Sequence, residues 1–150
     1  MQYRCISADC HIDLCWLPHD LFVANAARAM KDRMPYVTQS ADGPMWVTQS
    51  GLNLGYANGK GCDTGATGRR KIVPGEDRRL DRIASTGLFK DGASGIFRPT
   101  TPELRLQEQE RDGIQAEVLY GLLNAGNKMR DLDAALEFYR VYNDWLSDFC

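Results

Sequence analysis

What the chain lacks narrows it first. Its five cysteines, Cys5, Cys10, Cys15, Cys62 and Cys150, contain no C-x-x-C pair, which argues against a zinc ribbon or a thioredoxin-type site. Their number is odd, and Cys5 and Cys10 fall on opposite faces of one predicted strand, so reduced thiols in a cytosolic protein are expected. Net charge is almost absent, −2 at pH 7, so no global field favours nucleic acid or an anionic membrane. Nothing resembles a signal peptide or a spanning segment, because the opening MQYRCISADCH is too short and too polar for either. Internal repeats and coiled-coil heptads are missing as well.

Hydrophobic periodicity is scarce from Gly51 to Arg98, which holds Gly55, Gly59, Gly61, Gly65 and Gly68. A loop of this length is unusual in a compact domain and is expected to act as a lid or binding loop. Gly59-Lys60-Gly61 and Gly65-Ala66-Thr67-Gly68-Arg69 invite a phosphate-loop reading. Neither matches that pattern or sits between a strand and a helix, so the reading is rejected. Arg69, Arg70, Lys71, Arg78, Arg79 and Arg82 cluster beside Glu76, Asp77 and Asp81. Solvated, offset charges are the expectation. A lid or subunit contact that attracts a carboxylate substrate is the alternative.

What is present is concentrated at the start. Tyr3 to Ala8 reads as a short buried strand, with Asp9 and His11 at its end. Residues two apart on a strand share a face, so a carboxylate and an imidazole converge as metal ligands must. Ser7 and Cys5 are expected deeper on that same face. Alone, Asp-x-His is a common triplet; its place at the end of a first strand is what adds weight. Cys10 is weighed as a nucleophile, but no His partner is identifiable for it.

Further along, Pro18 to about Arg33 reads as one helix, with Phe22, Val23, Ala26, Ala29 and Met30 at helical spacing and Pro35 as its stop. His19 in its first turn is a surface residue by default, or a residue facing substrate. Tyr36–Gln39 and Met45–Thr48 flank an Asp42-Gly43 turn and read as a hairpin. Thr101-Pro102-Glu103 opens a polar helix that Gly113 closes. Ala116 to Tyr120 reads as a second strand, and its trailing loop, 121–128, shares a rim with Asp9 and His11 if the strands are parallel. Asp131 opens a last helix with Leu132, Ala135, Leu136, Tyr139, Tyr142, Leu146 and Phe149 as its apolar stripe. Asp133, Glu137, Arg140, Asp144 and Asp148 form its wet face.

Three segments, ISADCHIDLCWLPHDLF, PELRLQEQERDGIQAEVLYG and LEFYRVYNDWLSDFC, together about half the chain, resemble the amidohydrolase-related metal-dependent hydrolases of the aminocarboxymuconate-semialdehyde decarboxylase type. The departure is Asp9-x-His11 where that family's first strand carries His-x-His or Glu-x-His. The resemblance implies an α/β chain forming the N-terminal part of a (β/α)8 TIM barrel, with residues 35–100 as an inserted hairpin and long loop. A complete barrel typically takes about 250 residues, so 1–150 reads as a single incomplete domain. It further implies a hydrolase or nonoxidative decarboxylase acting on a small carboxylated or cyclic substrate. Asp9 and His11 would be first-strand ligands to a divalent metal, zinc by expectation, with the catalytic residues unidentified and the rest of the site beyond Cys150. The partners expected are a small-molecule substrate and, as an option, further copies of the chain, with no nucleic acid and no membrane. The alternative is a non-catalytic barrel-derived binding or assembly domain.

Overall fold

The computed structural model describes residues 4–59, 78–122 and 125–150. Within them the chain is mixed α/β with two separate sheets. Strand β1 (Ile6–Ile12) pairs in parallel with β5 (Ala116–Gly121). Strands β2 (Tyr36–Ser40), β3 (Gly43–Val47) and β4 (Asn53–Tyr56) form an antiparallel sheet in that order. The helices are α1 (Leu21–Asn25), α2 (Arg78–Ser85), α3 (Leu88–Ala93), α4 (Pro102–Asp112) and α5 (Leu132–Phe149). No helix among the described residues is long and apolar enough to cross a membrane.

The parallel pairing, the hairpin and the three helix ends at Pro102, Gly113 and Asp131 agree with the sequence reading. Gly113 adopts φ 71°, the left-handed conformation that closes α4. Asp131 accepts from the Ala134 amide and caps α5. Thr101 precedes α4 as expected but does not cap it, because its hydroxyl donates to Phe97 O instead.

Other expectations are corrected. The first strand is not a buried run over 3–8; it runs from Ile6 to Ile12, and only Ile12 is fully buried. Among the described residues nothing covers one face of this two-stranded sheet, and Ile6 (52% exposed), Val118 (44%) and Tyr120 (51%) stand open on it. The helix expected from Pro18 to Arg33 is only five residues long. Its continuation is intercepted by α5: the Glu137 carboxylate accepts the Ala27 amide at 2.6 Å, and Arg140 donates to Asn25 O at 3.1 Å. These bonds draw the backbone at Ala26 into an extended conformation. The expected loop from Gly51 to Arg98 contains β4, α2 and α3; the glycine and basic motifs within 60–77 lie outside the described residues.

The stripe of α5 is also rotated from its expected position. Ala134, Phe138, Val141 and Tyr142 are buried, whereas Leu132 (76% exposed) and Leu136 (70%) face outward. Phe138 stacks on Phe22 at 4.2 Å between centroids, and Phe22 meets Trp46 edge to face at 5.4 Å. Trp46 of β3 thereby joins the core between α1 and α5, so the hairpin is built into the main core rather than standing off it.

Candidate metal centre

A bulge shapes the site. Between Ser7 and Cys10 the β1–β5 register shifts, because Ser7 faces Glu117 and Cys10 faces Leu119. Three steps on β1 therefore match two on β5, which inserts one extra residue into β1. The bulge resets the alternation of faces. Cys10 donates its thiol to Ser7 Oγ at 2.9 Å, so Ser7 shares the face of Cys10 and not that of Asp9 and His11, a correction of the expected layering. Ile6 and Ala8 are exposed.

Asp9 lies within the bulge, yet its side chain still meets that of His11 two residues on. His11 Nε2 lies 2.9 Å from Asp9 Oδ1. The opposite nitrogen, Nδ1, lies 4.0 Å from Asp13 Oδ1. The imidazole is about one-third exposed, at 34%, and meets the Tyr120 ring edge to face at 6.1 Å. Tyr120 is its direct register partner on β5. The parallel pairing therefore places Asp9, His11 and Tyr120 at the C-terminal end of both strands, on the open face of the sheet.

Two ligands each roughly 2.0–2.2 Å from a tetrahedral zinc ion stand about 3.3–3.6 Å apart. At 2.9 Å Asp9 and His11 meet in a direct hydrogen bond, which must open before both can bind one cation. Among the described residues no third His, Cys, Asp or Glu joins them in a metal-holding group.

The opposite face is chemically different. Arg105 of α4 donates to Glu117 at 2.7 Å, and Cys10 donates to Glu117 at 3.4 Å. Burial raises the Glu117 carboxyl, but hydrogen bonds from Gln109 and Arg105 with the Arg105 charge outweigh it, holding it below the usual carboxylate range. Burial, reinforced by Glu117, pushes the Cys10 thiol up. A thiol held protonated is a poor nucleophile, which counts against a thiol mechanism. His19 is half-buried rather than a surface side chain. Its ring sits against Trp46 and Phe97, with Nε2 buried and without a partner among the described residues.

Asp13 and Tyr120 were not singled out from the sequence. Asp13 extends the two-residue series Asp9, His11, Asp13, a signal that was available. Tyr120 carries none, since a parallel register cannot be read from one strand. A cavity of about 470 Å³ lies elsewhere, between the Thr48–Leu52 turn and Met129–Asp131. Its Arg33 is already committed to Asp131 and Asp133, so that cavity is a weaker candidate despite its size. No protein-family model matches this sequence, and no curated protein matches it either.

Proposed function

We propose that the chain is the N-terminal portion of a (β/α)8-barrel metal-dependent hydrolase or nonoxidative decarboxylase acting on a small carboxylated or cyclic substrate. Asp9 and His11 hold a divalent cation, with zinc the best match to a carboxylate and an imidazole, and the remaining ligands come from outside the described residues. The observation that carries this reading is the convergence of Asp9 Oδ1 and His11 Nε2 at the C-terminal end of a parallel strand. Barrel enzymes gather their chemistry at that end.

When bound, the cation polarises a substrate oxygen or brings a coordinated water to a pKa near about 7. Asp9 contributes a negative oxygen and His11 a neutral nitrogen. Tyr120 walls the site beside them. Metal analysis of the full-length protein tests the reading: His11→Ala should lose the bound metal and the activity while keeping the fold. Equal metal content in variant and parent would remove the ligand role.

A second reading, a non-catalytic assembly domain, is favoured by one observation: Ile6, Val118 and Tyr120 form an exposed apolar strip. It predicts that the full-length protein carries no metal dependent on His11.

A further inference from the structure

We infer that the cavity between the Thr48–Leu52 turn and Met129–Asp131 is a binding site for a small organic carboxylate, held by Arg130 and Ser50. The site owes nothing to Asp9 or His11 and stands or falls apart from the function proposed above.

The cavity, of about 470 Å³, lies within the roughly 300–1,000 Å³ of small-molecule sites. Its two arginines differ in what they are free to do. Arg33 spans the Asp131 carboxylate, with Nε on one oxygen at 2.8 Å and Nη2 on the other, so these two charges neutralise each other. Arg130 is exposed and has no hydrogen-bond or ion-pair partner among the described residues. One uncommitted guanidinium beside a neutralised pair makes the lining net cationic, which suits a monoanion. A guanidinium fork matches the two oxygens of a carboxylate.

The facing turn is held in place by its own hydrogen bonds. Gly51 takes φ 81°, a conformation open to glycine, and the Thr48 amide donates to Leu52 O at 3.0 Å. Thr48 is only 7% exposed. Its hydroxyl oxygen accepts the Leu52 amide at 3.1 Å and lies 2.9 Å from Ser50 Oγ. With the Thr48 proton given to Ser50, the exposed Ser50 hydroxyl keeps its own proton for a ligand. Hydrogen bonds in series polarise one another, which strengthens that last donor. Met129, 6% exposed, and the half-buried Leu52 give the lining an apolar part for the body of the ligand.

The test is calorimetric titration of the full-length protein with benzoate, its neutral isostere benzamide, and inorganic phosphate. Benzoate should bind, and the other two should bind at least about tenfold more weakly. Arg130→Gln should weaken benzoate by about tenfold or more and Ser50→Ala by about threefold, each with an unchanged circular dichroism spectrum. Arg130→Lys keeps the charge without the fork, should fall between parent and Arg130→Gln, and serves if the glutamine variant does not fold. His11→Ala should bind benzoate as the parent does, whatever it does to metal. The assignment is overturned by a parent that binds no benzoate, by benzamide or phosphate binding equally well, or by unchanged affinity in Arg130→Gln. Loss of benzoate binding in a folded His11→Ala variant would place the probe at the Asp9–His11 pair instead and overturn it too.

Discussion

Arg105 and Glu117 form the most enclosed ion pair among the described residues, with side chains 12% and 10% exposed. Breaking such a pair leaves one charge stranded, whereas replacing both partners with apolar groups is often neutral. Arg105→Ala should therefore cost about 3 kcal/mol in urea unfolding, and Arg105→Met with Glu117→Leu should recover most of it. A single variant as stable as the parent would mean that water reaches the pair. The neighbouring thiol gives a second residue-scale expectation. Cys10 is half-buried with a raised pKa, and Cys5 is exposed. Iodoacetamide at mild alkaline pH should label the exposed Cys5 and Cys150 before Cys10; preferential labelling of Cys10 with loss of activity would revive a thiol mechanism.

At the scale of elements, the contact between α1 and α5 decides local structure against propensity. Glu137 was expected on a wet face, yet its side chain is only 12% exposed and accepts the Ala27 amide while pairing with Arg140. The Arg140 hydrogen bond, then the Ala27 amide, hold its carboxyl down at about 2. A carboxyl depressed in the folded state stabilises the fold above its unfolded value of roughly 4.3. That contribution is lost as the pH falls from there through about 2. Melting temperature should consequently drop across this window, and Glu137→Gln should flatten the drop. Glu137→Ala removes the acceptor as well and should cost about 1.5–3 kcal/mol at neutral pH. Gly121 marks a tighter constraint, since a Cβ there would fall inside the Tyr142 phenol. Gly121→Ala should destabilise by about 1–3 kcal/mol through overpacking, seen as a lowered melting temperature.

At the scale of the molecule, the unusual feature is a two-stranded parallel sheet with one face uncovered among the described residues. Parallel sheets are almost always covered on both sides, and exposed strand edges invite pairing. Helix α4 and the buried Tyr142 of α5 meet one face; Ile6, Val118 and Tyr120 occupy the other. Residues 1–150 expressed alone should therefore associate, and Val118→Lys should shift sedimentation toward monomer. A compact, cooperative monomer that binds zinc tightly would show the opposite, that the described elements suffice. The open face and the Asp9–His11 pair are the same face, so association through it should also shield His11 from solvent.

The sequence by itself determined what depends on neighbours in the chain. The Asp42-Gly43 turn, the Pro102 start and Gly113 stop of α4, the Asp131 cap and the shared direction of Asp9 and His11 all rest on steric and hydrogen-bonding rules spanning a few residues. Only the tertiary structure decided the rest. Helix α1 ends early because a carboxylate 110 residues away takes its next amide. The α5 stripe turned because Phe138, not Leu136, meets Phe22. Ser7 changed faces because β5 imposes a bulge on β1. In each case a contact between segments distant in sequence outweighs a local preference of about a kilocalorie or less, and no single stretch of the chain encodes which distant segment will supply it.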